Sequence, residues 1–363
     1  MNAHTENNGR NYGIDALRVL SMLMIVVMHI LGKGGVLGAA PRLGANFLAA
    51  ALLETVAFPA VNCYALISGY VGAGGRTRFS RLALLWAQVA LYAFVIETVF
   101  FITVPGAVSV RALLATLFPA VSGQYWYFSA YFALFLCMPL LNAGMERTPR
   151  RILACALGVG FIAFCCLPTL FGLDGFRLQS GYTPLWLIYL YALGGYIRRF
   201  NPLARVSASK LALACAAALI ASWLSIPAIG MVTLRRSGEA SHLTYLLKFN
   251  SPLMVIASVC MLELCLRARI PEGTKRIIAV LAPLSFSVYL IHTHPLVFER
   301  LIGGRFAVLA AHPMPLMVLE ILLAALCVFA ICSAIDAVRL RLFNALRLRE
   351  RLEKRIDDRL SNT

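Results

Sequence analysis

The chain alternates between long apolar blocks and short polar stretches in which arginine is the commonest charged residue. Ten blocks approach the length that about 30 Å of hydrocarbon requires, at about 12–31, 45–71, 82–104, 125–143, 151–171, 183–198, 211–231, 246–266, 277–301 and 315–338. None shows the residue-by-residue alternation of a barrel strand. An unbroken helix satisfies its own backbone hydrogen bonds in lipid, so the pattern predicts an all-α integral membrane protein of about ten transmembrane helices.

Two amphipathic pieces are too short or too charged to span. Ser109 to Phe118 is a short apolar run between Pro105 and Pro119, which suits an interfacial segment on the outer face. From Arg339 onward, Leu348, Leu352, Ile356 and Leu360 recur at helical spacing among mixed charges, as in a helix lying on the anionic inner leaflet. This divides the chain into a transmembrane unit, 1–338, and a cytoplasmic basic amphipathic tail, 339–363. The opening from Met1 to Asn11 is polar. The run Tyr12 to Leu31 lacks a small-residue cleavage signature and reads as a retained first helix. No internal repeat or low-complexity run is visible.

Composition agrees with the membrane reading: 60% of residues are apolar and 13% charged, against about 45–50% and about 25% in soluble chains. The net charge of +17 would suggest nucleic acid in a soluble protein. Here the cations cluster at the ends of apolar blocks and report topology instead. With ten spans, 24 of the 33 Lys and Arg fall on one side, which becomes the cytoplasm, and both chain ends lie there. The ten cysteines all lie within apolar stretches and read as buried thiols. No Cys/His grouping has metal-ligand spacing, so no metal is expected.

Ionisable groups inside spans cost roughly 2.5–3.5 kcal/mol each on insertion scales, so each calls for a reason. The first helix holds Asp15, Arg18 and His29 on one face, spaced by three and then eleven residues. Asp15 fits best as the ion-pair partner of Arg18. His29 lies roughly 16 Å further outward than Arg18 and is either a helix-end histidine among headgroups or a titratable base. Glu54 and Glu97 lie toward the outer ends of the second and third spans. Glu263 and Asp336, near inner ends, are solvated or paired with arginines. Tyr125, Trp126 and Tyr127 open the fourth span, either as an aromatic belt or as faces for a sugar ring. In the ninth span His294 precedes Pro295 and suits local hydrogen bonding, which leaves His292 the more credible site member. Arg76, Arg78 and Arg81 follow the glycine-rich turn Gly72 to Gly75, where arginines either report topology or bind phosphate.

Several motifs, in order, carry a resemblance: Asn11-Tyr-Gly-Ile-Asp15-Ala-Leu-Arg18, His29 through Gly35, Leu66-Ile-Ser-Gly-Tyr70, Leu117-Phe-Pro119, Tyr125-Trp-Tyr127, Pro139-Leu-Leu-Asn142, and Phe286-Ser-Val-Tyr-Leu-Ile-His292. Together they resemble the membrane acyltransferase 3 family, and within it the polysaccharide O-acetyltransferases, along nearly the whole chain. The resemblance implies a multi-pass enzyme of the bacterial inner membrane. Such an enzyme takes an acyl group, commonly acetyl, from cytoplasmic acyl-CoA as co-substrate and places it on a hydroxyl of a surface or exported glycan. It implies His29 as the catalytic residue and Arg18, Arg78 and Arg81 as the acyl-CoA site; the reading of the spans themselves adds Glu54, Glu97, Tyr125, Trp126, Tyr127 and His292 as acceptor-side candidates. His29 would act either as general base or as a transient acyl carrier. Asn11-Tyr-Gly stands where many relatives have Arg-Pro-Glu, and the soluble hydrolase-like domain of some relatives is missing. No permanent cofactor and no nucleic-acid partner are expected; anionic lipids and a second copy of the chain are candidate partners. Membrane histidines and carboxylates also suit a proton-coupled transporter or flippase of a glycan or lipid-linked precursor.

Overall fold

A computed structural model describes residues 10–361. Most of the polar opening from Met1, and Asn362 and Thr363 at the end of the expected tail, lie outside the described residues. Every regular element among the described residues is helical. Eight helical spans are long and apolar enough to cross a membrane.

Helix α1 (Tyr12–Leu31) has the bounds its apolar pattern predicts, and it starts where the Asn11 side chain accepts the N–H groups of Gly13 and Ile14. The block 45–71 folds as two helices, α2 (Ala45–Ala57) and α3 (Ala60–Gly72), interrupted at Phe58 and Pro59. Pro59 has no N–H to continue the ladder, and the interruption turns Glu54, Phe58 and Val61 toward the interior. Next come α4 (Phe79–Thr103), the short outer α5 (Val110–Ala115) capped by Ser109, α6 (Trp126–Arg147) and α7 (Arg150–Phe161), which runs on through a widened turn to Phe171.

The expected spans near 183–198 and 246–266 appear as α8 (Pro184–Phe200) and α10 (Pro252–Arg267), of 17 and 16 residues, on either side of the long α9 (Ala208–Ser237). The ninth block divides into α11 (Glu272–Leu281) and α12 (Ser285–His292), and ends in a break at Thr293 before Pro295. Helix α13 (Met314–Ala345) is followed by Arg347 at a left-handed φ of 47°, which redirects the chain into α14 (Leu348–Leu352) and the rest of the tail.

The bundle has an apolar interior like a soluble one, but its outer surface is apolar as well. Helix α1 sits at the centre, against α2, α3, α10, α11, α12 and α13. The outer helices turn large apolar groups outward: Leu140 is 79% exposed, Leu213 70% and Ile331 62%. That is the surface lipid tails require. Between α3 and α8 the backbones touch. A Cβ on Gly69 would lie 2.0 Å from the Tyr191 carbonyl oxygen, and one on Gly194 would lie 2.2 Å from that of Leu66. Small residues of this kind let membrane helices approach closely. Two buried acids of the bundle are paired. Asp336 binds Arg339 with both carboxylate oxygens and accepts the Tyr92 hydroxyl, and Glu263 pairs with Arg267. Both acids thus take an arginine one turn along their own helix.

Candidate active site

The residues just after α1 are tied to the segment that follows α12. The carbonyl of Lys33 accepts the Gly304 N–H at 3.0 Å and that of Gly34 accepts the Phe306 N–H at 2.9 Å. This clasp, with the packing of α1 on α12, brings together two histidines 263 residues apart.

His292 Nδ1 lies 2.5 Å from the carbonyl oxygen of Val288, one turn earlier in α12. A carbonyl can only accept, so this nitrogen carries the hydrogen. Neutral His292 then presents a lone pair at Nε2, 2.8 Å from His29 Nδ1, which must donate. The sequence of donors leaves His29 Nε2 as a bare lone pair, the form a base requires. The edge of Phe298, with ring centres 5.0 Å apart, buttresses the His29 ring.

His29 lines a cavity of about 200 Å³. Its walls are strongly aromatic, with Tyr64, Trp126, Tyr127, Tyr182, Phe249 and Tyr289, and Glu54 supplies a carboxylate. Trp126 and Phe249 stack at an interplanar angle of 16°, and Tyr182 packs 4.6 Å from Trp126. Tyr127 is a wall residue whose hydroxyl is buried and has no partner among the described residues, an unpaired donor behind the cavity surface. Lys33 reaches the cavity and pairs with Glu299 at 2.5 Å.

Toward the expected cytoplasmic end, Asp15 sits between two guanidinium groups, 2.5 Å from Arg10 and 2.8 Å from Arg18. It is itself buried and pairs with Arg18, with Arg10 as its second partner. The Tyr64 hydroxyl donates to the Arg18 carbonyl at 2.8 Å and thereby links this pair to the cavity wall. Arg18 and Arg81 both lie within electrostatic reach of Tyr131, which stacks on Tyr127 at 15°. A column of tyrosines thus runs from the arginines to the cavity. Arg78 faces Glu353 of the tail at 3.5 Å.

The structure sorts the expected acceptor-side residues into three groups. Glu54, Trp126 and Tyr127 do form cavity walls. His292 stands behind His29 instead of lining the cavity. Glu97 and Tyr125 belong elsewhere: Tyr125 is 1% exposed and donates to the Leu290 carbonyl, and Glu97 accepts from Gln124 at 3.3 Å beside His294. Burial decides this. The side chain of Tyr125 is consumed in packing α6 on α12, and that of Glu97 in a separate polar cluster with Gln124 and His294. Sequence reasoning missed Lys33, Tyr64, Tyr182, Phe249 and Tyr289. Tyr289 could have been found, because it shares a helix face with His292 at i,i+3. Tyr182 and Phe249 lie in connections and carry no periodic signal.

No curated protein and no solved structure matches the chain. A family model described as an acyltransferase domain, that of acyltransferase 3, matches residues 11–337, from the cap of α1 into α13. A match over nearly the whole chain, on a multi-pass helical fold with a paired histidine at its centre, assigns it: the protein belongs to the membrane acyltransferase 3 family.

Proposed function

We propose that the protein transfers a short acyl group, acetyl above all, from cytoplasmic acyl-CoA to a hydroxyl of a surface or exported glycan. In this reading it lies in a bacterial inner membrane with ten spans and both ends inside. The observation that carries the proposal is the hydrogen-bond order around His29, which leaves one nitrogen free on a residue that lines an aromatic cavity connected by tyrosines to arginines.

Arg18, Arg78 and Arg81 supply cationic, fork-shaped groups for the phosphates of CoA. The pantetheine arm reaches inward past Tyr64 and Tyr131, and the thioester carbonyl comes to rest beside His29. The acceptor sugar lies against Trp126, Tyr182 and Phe249, faces of the kind that pack on pyranose rings, with Glu54 accepting from a ring hydroxyl.

His29 Nε2 removes the proton of the acceptor hydroxyl as its oxygen bonds to the thioester carbon. The tetrahedral adduct collapses with loss of the C–S bond, and the CoA sulfur takes the proton back from Nε2. Meanwhile Nδ1–H stays bonded to His292 Nε2, which stabilises the imidazolium and holds the ring in one tautomer.

The test is the O-acetyl content of the host's surface polysaccharide, read by proton NMR. A deletion strain is rescued with the wild-type chain or with equally expressed His29→Ala. Acetyl signals restored by wild type alone support the proposal; signals restored by both remove His29 from it; a parent strain without acetyl esters sends the search to another acceptor.

A further inference from the structure

Beyond Ala345 the chain does not continue along α13. Arg347, in a left-handed conformation that costs a non-glycine residue free energy, turns α14 and the residues after it back onto the start of α4. The partly buried Leu348, Leu352 and Ile356 lie on one side of this tail. Its acids meet the arginine loop. Glu353 Oε1 is 3.5 Å from Arg78 Nη1. Asp357 accepts the Ser80 N–H at 3.1 Å and the Ser80 hydroxyl at 2.5 Å, at the first turn of α4. A burial penalty on Asp357 is outweighed by these bonds and by Arg78 and Arg76 beyond them, which hold its carboxyl below the usual carboxylate range. Arg76, Arg78, Glu353, Asp357 and Asp358 together line a cleft of about 440 Å³.

We infer that the tail is an internal competitor of the acyl donor: carboxylates of Glu353 and Asp357 stand where the phosphates of acyl-CoA would bind, and the donor enters when the tail lifts. The inference rests on the acyl-CoA reading above. Three features carry it. The groups that engage the tail, Arg78 and the first turn of α4, are the groups a phosphate would use, since both favour a negatively charged oxygen acceptor. The tail is charged enough to leave: Arg78 is half exposed and its pair with Glu353 is long, so solvent competes for it. The same tail also carries Arg351, Lys354, Arg355 and Arg359, besides Arg349, which pairs with Glu353 at 3.0 Å, and these cations attract anionic headgroups once it is released, which gives the lifted state a resting place on the membrane.

A site occupied by its own tail binds ligand more weakly in proportion to the fraction of molecules that are open. A tail docked nine-tenths of the time therefore weakens the donor about tenfold. The experiment measures the Kd of CoA for the full-length protein in nanodiscs, in wild type, in the double variant Glu353→Gln/Asp357→Asn, and in a chain ending at Leu346. Thermal unfolding of each variant establishes that the bundle is intact. About tenfold tighter binding in both variants is expected, together with faster tryptic cleavage after the tail arginines of wild type when CoA is present. Unchanged binding in both variants overturns the inference while leaving the acyl-CoA reading in place. Weaker binding overturns it too, and makes the tail a part of the site. No binding of CoA to any of the three proteins removes the acyl-CoA reading and the inference together.

Discussion

The two ends of the proposed reaction path differ in how they hold their polar groups. At the centre, His29 and His292 are fixed by directed bonds of 2.8 and 2.5 Å among buried rings, and each nitrogen has one assignable role. At the rim, the expected cytoplasmic side, Arg78, Glu353 and Asp357 meet through charge on half-exposed side chains, in arrangements that solvent and salt can replace. The difference separates two tasks. Chemistry needs one geometry held against all others, whereas capture of a donor needs attraction that can be exchanged for another partner.

The sharpest way to break the comparison is at the centre. His29→Ala should lower acyl transfer by about 10²–10⁴-fold, the usual contribution of a positioned base, without a matching loss of CoA binding. His292→Leu should cost about 10²-fold in kcat, since it leaves His29 Nδ1–H without an acceptor and releases the tautomer. His292→Gln, whose amide oxygen can accept from the same nitrogen, should recover about tenfold of that loss, whereas a merely space-filling role predicts that Leu and Gln behave alike. At the rim, Arg78→Ala combined with Arg81→Ala should raise KM for acyl-CoA about tenfold and leave kcat within twofold. The wild type's KM should climb with ionic strength and the variant's much less. Smallest of all, Glu299→Gln should change either constant less than twofold, because Glu299 is 64% exposed where it pairs with Lys33. An effect of Glu299→Gln as large as that of His292→Leu would erase the distinction between the two regions.

Much of the fold was legible in the sequence because hydrophobic length is a local property. Helix α1 falls on the bounds that its apolar run predicts, since Asn11 caps it and a glycine-rich stretch ends it. The interruption at Phe58 and Pro59 was announced by the proline but was absorbed into a single span, because the apolar pattern continues across it. The site was legible in its members and not in its assembly. His29 and His292 were each singled out, but their contact depends on a clasp between two glycine-bearing segments, and no spacing encodes it. Glu97 and Tyr125 looked equivalent to Glu54 and Trp126 because depth in a span can be read from sequence, whereas the direction faced within the bundle depends on which neighbours pack there. The tail was legible as amphipathic. That it lies on α4 follows from the single left-handed residue Arg347, an event without a hydrophobic signature.

The bond from His292 Nδ1 to the Val288 carbonyl also has a bioenergetic meaning. A proton accepted at the open nitrogen of His29 can be shared with His292 but goes no further, because the last hydrogen of the chain ends on an oxygen already inside helix α12. The pair by itself therefore stores one proton and offers it no second exit; in the proposed reaction the proton leaves by the nitrogen it entered, from the acceptor hydroxyl to the CoA sulfur. Without substrates the protein should therefore be no proton leak, and proteoliposomes should hold a pH difference as well with the protein as without it.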